Sequence, residues 1–222
     1  MILAAGRGER MRPLTDDCPK PLLPVAGKPL IAHHLERLAA SGFRELVINV
    51  SYGAEQIRAT LGDGTRYGVN IQYSLEPPGA LETGGGIAHA LQLLGEAPFA
   101  VINGDIWCNY PISQLRAVDV RLAHLVLVDN PDHHAAGDFG LDEDTVTLPE
   151  PSRQTYTFAG IGVYRPELFH GIEDLRFRLG PLLKAAARQE LVTGEHYRGE
   201  WLDVGTPGRY QALQQSLQTG RR

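Results

Sequence analysis

The sequence predicts an α/β fold, a mixed, mostly parallel sheet covered by helices on both faces. Three observations predict it. Apolar runs of strand length alternate with segments of helical periodicity through the first half of the chain. Loops rich in glycine or proline separate the two kinds of segment. The second half holds more strand-like runs than helical ones, so some antiparallel pairing is expected beside the parallel strands.

The elements follow in chain order. Residues 1–5 are apolar and run straight into Gly6, as a buried strand ending in a loop does. Residues 6–28 are rich in glycine, proline and basic residues and form a loop. Pro29 opens a helix in which Leu30, Ile31, His34, Leu35 and Leu38 recur at helical spacing up to Gly42. Glu45–Val50 (ELVINV) is a second strand, Ala54–Leu61 a short helix and Val69–Tyr73 a third strand. Gly85–Leu94 is helical, and Phe99–Asn103 is a fourth strand that ends at Gly104 and Asp105. Beyond it, Leu122–Val128, Phe139–Leu141, Thr155–Tyr164 and Glu200–Val204 read as strands. Leu179–Gln189 and Pro207–Leu217 read as helices. No repeat, low-complexity stretch or linker interrupts the series, so residues 1–222 are expected to form one domain, with 218–222 a frayed tail.

Composition narrows the function. The 222 residues are 43% apolar and 21% charged, with a formal net charge of -5. The lack of a basic surplus argues against a nucleic-acid groove or an anionic membrane partner. Any phosphate must therefore be held by a local group of cations. Cys18 and Cys108 lie far apart and outside any CxxC pattern, which fits a reducing compartment and not a zinc site. No apolar run approaches the roughly 18 residues that span a bilayer. Met1–Ala5 is too short for a signal peptide, and a cytoplasmic protein is expected.

The densest chemistry lies between Leu3 and Pro29. A strand feeding Gly6-Arg7-Gly8 presents backbone N–H groups without side chains in the way, which suits phosphate oxygens, although a plain tight turn has the same form. It is not a P-loop, since GxxxxGK followed by Ser or Thr is missing. It is not a dinucleotide fingerprint either. Met11 stands at the third glycine, and the second strand ends Asn49-Val50-Ser51-Tyr52 with no carboxylate. Arg7, Arg10, Arg12, Lys20 and Lys28 share this proline-stiffened loop. A rigid cationic loop beside backbone donors neutralises a triphosphate and holds its α-phosphorus for in-line attack.

The stretch LAAGRGERMRPLTDDCPKPLLPVAGKP resembles the signature of the sugar-1-phosphate nucleotidyltransferases over nearly thirty residues. The resemblance implies a Rossmann-like nucleotide-diphospho-sugar transferase fold, a three-layer sandwich. It implies catalytic roles at the phosphates for Arg10 and Lys20. It also implies that Leu3, Ala4, Ala5, Gly6 and Gly8 hold the nucleotide.

Nucleoside triphosphate chemistry uses Mg²⁺, bound through one or two carboxylates with phosphate oxygens and water. Asp105 and Asp203 stand at strand ends, where an aspartate also serves as a turn residue or helix cap. The family carries a GD after its fourth strand and a WxDxGT-like segment near the end of its catalytic domain. The resemblance therefore implies that both bind the metal, with Asp105 also at the nucleotide.

Glu82-Thr83-Gly84 sits where the family closes over the base. A carboxylate at Glu82 accepts the imide N–H of uracil or thymine, or N1–H and N2–H of guanine, and repels the bare N3 of cytosine and N1 of adenine. It can instead face the sugar. On the sugar side the resemblance implies Asn103, Gly137, Glu150 and Gly160. His133 and His134 read as solvated loop residues and not as metal ligands. One departure is plain. Many relatives have Glu-Lys-Pro before the sugar strand, and here Glu150-Pro151 lacks the lysine. Arg198 or Lys28 is then expected to meet the sugar phosphate, or Mg²⁺ alone does so.

Taken together, LETGGG, TFAGIGVY and GEHYRGEWLDVGTP resemble the branch of the family that joins UTP to N-acetyl-α-muramate 1-phosphate. The partners expected on that resemblance are UTP, a sugar 1-phosphate and Mg²⁺, acting in a monomer. Two alternatives stand: a mannose- or heptose-1-phosphate guanylyltransferase, and a non-catalytic nucleotide-sugar sensor.

Overall fold

The computed structural model describes residues 1–77, 79 and 81–219. In chain order the elements are β1 (Ile2–Leu3), β2 (Pro24–Val25), β3 (Lys28–Pro29), α1 (Leu30–Ala40), β4 (Glu45–Val50), α2 (Ala54–Leu61) and β5 (Asn70–Leu75). Then come α3 (Glu82–His89), α4 (Leu91–Leu94), β6 (Phe99–Asn103), β7 (Ile106–Cys108), β8 (Ala123–Val128), β9 (Gly140–Asp142), β10 (Thr145–Thr147) and β11 (Thr157–Tyr164). The last are α5 (Leu179–Ala187), β12 (Val192–His196), β13 (Trp201–Asp203) and α6 (Pro207–Thr219). Short 3₁₀ turns fill several connections, among them Glu9–Met11, Lys20–Leu22 and Asp132–His134.

Nine strands form one sheet in the order β5-β4-β1-β6-β11-β8-β12-β10-β9. Seven run in one direction, and only β11 and β10 oppose them. This is the mixed, mostly parallel sheet that the sequence predicts. The strands are apolar on both faces because both faces are covered. In β4, Leu46, Ile48 and Val50 enter one core while Val47 enters the other. In β8, Val126 and Val128 face the first core, and Ala123, Leu125 and Leu127 the second. Helices α1 and α2 cover the first core through Ile31, Leu35, Ile57 and Leu61. Helices α3 and α5 cover the second through Ile87, Leu179 and Leu183. The result is a three-layer α/β sandwich.

Helix boundaries follow local chemistry. Helix α1 stops where Gly42 takes φ +84, and the Phe43 N–H returns to the Leu38 carbonyl at 3.0 Å. The predicted helix 85–94 proves to be two. It starts three residues earlier, at Glu82, and breaks at Ala90 before α4. The third strand is shifted to 70–75. The predicted strand at 200–204 is shorter, and it pairs with β7 in a separate two-stranded ribbon instead of joining the main sheet. Strands β2, β3, β7, β10 and β12 lay outside the sequence reading, and α1 starts at Leu30 because Pro29 is paired in β3. Residues 218 and 219 of the expected frayed tail belong to α6, and 220–222 lie outside the described residues.

On α1, His34 is buried with its ring bonded to the backbone of Ile106, next to Asp105. Its Nε2 has no hydrogen-bond partner among the described residues. Desolvation lowers its pKa from 6.5 to about 4. The folded state thus holds a neutral ring that the unfolded chain protonates more readily. Stability from this group is complete above about pH 6.5 and is lost as pH falls towards 4. We predict that His34→Gln removes about 3 kcal/mol of pH dependence across that window, a shift of two to three pKa units at 1.36 kcal/mol each. Urea midpoints at pH 4 to 7.5 test this. Parallel curves for both proteins would refute it.

Candidate active site

Strand β1 lies between β4 and β6, with Leu3 in register with both Asn49 and Asn103. The chain leaves β1 for β4 on one side and later returns to β6 on the other. That reversal opens a crevice beyond the carboxyl ends of the strands. A cavity of about 320 Å³ fills it. Leu3, Ala4, Ala5 and Gly6 line one side, and Glu82, Thr83, Asn103 and Asp105 line others. The sequence reading named all eight as site residues, Asn103 on the sugar side and the other seven at the nucleotide, and the fold brings them to one cavity.

Two polar residues that the sequence reading missed hold this cavity in shape. Asn49 and Glu76 are only 3% and 5% exposed. The Ala4 N–H donates to Asn49 Oδ1 at 2.7 Å, and Asn49 Nδ2 donates to Glu76 Oε1 at 2.6 Å. Glu76 Oε2 then accepts from the Leu81 N–H at 3.0 Å. The chain ties the glycine-loop strand to the segment that opens α3. A buried polar network with every member satisfied fixes one geometry. The signal in the sequence was an asparagine inside the apolar run ELVINV, and a glutamate directly after the next strand.

Lys20 is 8% exposed and reaches this cavity from a one-turn helix between Pro19 and Leu23. Its Nζ lies 2.6 Å from Asp105 Oδ2. The turn that carries Asp105 depends on Gly104, since a Cβ there would sit 2.6 Å from the Leu3 carbonyl oxygen. The cation and the anion are thus fixed at one edge of the cavity from sites 85 residues apart.

Asp203 is brought to the same edge by backbone pairing. Ribbon β7–β13 places Asp203 opposite Ile106, and the Val204 N–H donates to the Asp105 carbonyl at 2.8 Å. The Asp203 side chain does not line the cavity. It is paired with Arg209 Nη2 at 2.9 Å and lies 3.6 Å from His133 Nε2. Among the described residues, no group of three His, Cys, Asp or Glu side chains can hold a metal alone. Two carboxylates at one strand edge suit a hard cation that takes its remaining ligands from phosphate and water. In this structure the Asp105 carboxylate faces Lys20 and the Asp203 carboxylate faces Arg209, so a cation bound by both would replace those partners.

The cationic loop is partly spent on itself. Arg7 pairs with Glu9 at 3.0 Å, Arg12 with Asp16 at 2.5 Å, and Lys28 with Glu36. Arg10 is exposed, outside the cavity wall, and has no ion pair among the described residues. Gly8 needs its φ of +72 to start the turn at Glu9, and the Thr15 hydroxyl donates to its carbonyl. It shapes the loop without lining the cavity.

A second cavity of about 340 Å³ shares Glu82, Thr83 and Asn103 with the first. Gly160, with φ +74, lies beneath Asn103, where a Cβ would come within 2.5 Å of its Nδ2. Other expected residues stand apart. Gly84 lines neither cavity, and it lets α3 pack against Phe177, whose ring a Cβ would meet at 2.3 Å. Gly137 lies behind the wall against Asn130 and Tyr156. Glu150 is exposed and pairs with Arg153 at 3.1 Å. Arg198 and Lys28, offered in place of the missing lysine, line neither cavity. Arg178 and Lys184 line the second one, and the sequence reading named neither. Glu82 lies between the cavities with a left-handed φ of +62 and its Oε2 3.7 Å from Arg178. Cys18 and Cys108 are free, and burial pushes both thiols up. No described helix is long and apolar enough to cross a membrane.

Known proteins share this architecture. The solved structure most worth setting beside it is a putative glucose-1-phosphate thymidylyltransferase from Bacillus anthracis, with a TM-score of 0.84, 21% identity, and 97% of this chain and 93% of that one covered. The likeness concerns the fold. In sequence the chain is 52% identical to the N-acetylmuramate alpha-1-phosphate uridylyltransferase of Neisseria meningitidis, over 96% of each. It is 39% identical to the protein of the same name from Caulobacter vibrioides, over 93% of this chain and 91% of that one. The mannose-1-phosphate guanyltransferase of Yarrowia lipolytica is more distant, at 34% over 93% of this chain and 60% of its own. The family model described as nucleotidyl transferase matches residues 1–220, from the glycine loop to the last helix, and the chain belongs to that family.

Proposed function

We propose that the chain transfers the uridylyl group of UTP to N-acetyl-α-muramate 1-phosphate, giving UDP-N-acetylmuramate and pyrophosphate. The observation that carries the sugar and the base is the 52% identity to the Neisseria uridylyltransferase across 96% of both chains. The geometry suits the chemistry. The first cavity takes the nucleotide, with backbone N–H groups of the Gly6–Gly8 loop at the phosphates. In this reading Glu82, in the wall that the two cavities share, accepts the imide N–H of uracil.

The sugar phosphate enters from the second cavity and attacks the α-phosphorus in line. It is ionised near neutral pH, so no general base is needed. Lys20 offsets charge building on the α-phosphate. Arg10, exposed and without an ion pair among the described residues, meets the departing pyrophosphate. Asp105 and Asp203 would hold Mg²⁺, which when bound neutralises phosphate charge and orients both substrates. Asp105 also keeps the Lys20 ammonium extended into the cavity before substrate arrives.

The test is pyrophosphate release from UTP, GTP, dTTP and CTP, each with several sugar 1-phosphates. UTP with N-acetyl-α-muramate 1-phosphate is expected to give the highest kcat/KM. Preference for GTP with mannose or heptose 1-phosphate would establish the guanylyltransferase instead. No release from any pair would favour the sensor.

A further inference from the structure

Most charged groups around the two cavities are already matched. Lys20 faces Asp105, and Arg178, with its side chain 78% exposed, faces Glu82. Asp138, in the wall of the second cavity, is also taken up. Its Oδ2 accepts from the Phe158 N–H at 2.9 Å, and its Oδ1 lies 3.0 Å from His134 Nε2. Lys184 is the exception. It is half-buried in that wall, and no carboxylate among the described residues lies within 4.0 Å of its ammonium. Its Nζ stands 6.0 Å from the centroid of the Phe139 ring, and Phe158, Leu179 and Leu183 form the rest of an apolar surround. An unmatched cation among apolar side chains is costly until an anion joins it.

We propose that Lys184 binds a carboxylate carried on the sugar of the acceptor substrate. The inference deepens the uridylyltransferase reading and rests on it. The second cavity shares Glu82, Thr83 and Asn103 with the first, which Lys20 and Asp105 line, so a sugar seated in the second has its phosphate on the side of Lys20 and Asp105. N-acetylmuramate differs from N-acetylglucosamine by one lactyl ether, which adds a methyl group and a carboxylate. The apolar wall accommodates the methyl, and Lys184, without a carboxylate partner among the described residues, supplies the charge for the carboxylate. A charge-assisted pair in a partly desolvated site is the kind of contact that discriminates strongly between two otherwise equal ligands. Lys184 is thereby a specificity-determining residue and not a replacement for the lysine that other members place before the sugar strand.

The experiment measures kcat and KM for the wild type, Lys184→Met and Lys184→Arg with UTP. The acceptors are N-acetylmuramate 1-phosphate and N-acetylglucosamine 1-phosphate. If the second acceptor turns over too slowly, it is measured as a competitive inhibitor. Methionine keeps the stem and removes the charge. The expected result is a loss of about tenfold to a hundredfold in kcat/KM for the muramate sugar, mostly in KM. N-acetylglucosamine 1-phosphate is left unchanged, and arginine restores most of the preference. Equal losses for both acceptors would mark a structural role and overturn the proposal. An unchanged preference in Lys184→Met would also overturn it, as would a wild type that does not favour the muramate sugar. If the wild type uses neither acceptor, the uridylyltransferase reading itself fails, and that is visible before any variant is made.

Discussion

Asp105→Asn is expected to lower kcat about a thousandfold, the upper range for losing one preorganised electrostatic group. Asparagine has the same shape and still offers an oxygen to Lys20 Nζ, so the contact that spans 85 residues survives as an ammonium-to-amide hydrogen bond. What disappears is the negative charge. Lys20 then lacks its counterion, and at the proposed metal site a divalent cation would keep only Asp203. The Asp105 side chain is 37% exposed, so the substitution leaves no empty space in the core. Turnover at saturating UTP and a thermal melt separate the two effects. Near-normal kcat would show that Asp105 is a turn residue and nothing more.

Lys20→Met is the second large effect, and its value lies in a contrast. Removing a buried ammonium relieves its desolvation, and Asp105 can turn to water. Because the Asp105 side chain left behind is 37% exposed and can be hydrated, stability should change by no more than about 1 kcal/mol. Activity should fall by about two to three orders of magnitude in kcat/KM for UTP, since the α-phosphate loses a fixed cation. The two measurements together decide between roles. A protein that melts early and keeps its activity would assign Lys20 to the fold.

The parts of the molecule readable from sequence share one property: they are locally determined. Strands β1, β4 and β6 are near-continuous apolar runs because both faces are buried, and such runs stand out without tertiary knowledge. Strand β12 was missed because Gly194 and Glu195 interrupt it. The glycine is demanded from elsewhere, since a Cβ there would come within 2.6 Å of Val146. Gly84-Gly85-Gly86 looked like a ligand loop for the same reason. A Cβ on Gly85 would lie 2.0 Å from the Leu175 carbonyl oxygen, and one on Gly86 2.5 Å from Glu76 Oε1. These glycines serve close packing between segments distant in sequence. Lys184 reads as an ordinary solvated helix residue until α5 is laid beside Phe139. Resemblance, not spacing, is what singled out Lys20, Asp105 and Asp203.

The β7–β13 ribbon has a consequence for how the protein fails. It is a clasp of three residues against three, outside the nine-stranded sheet, and such ribbons are marginal by themselves. It joins positions 93 to 97 residues apart, and its outer strand β13 is only half-buried, so β13 can part from β7 while Ile106 and Cys108 stay in the first core. If Asp203 works with Asp105, mild heat or denaturant silences the enzyme by undoing six residues, well before the bulk of the molecule melts. Durability in use then belongs to the clasp and not to the sheet.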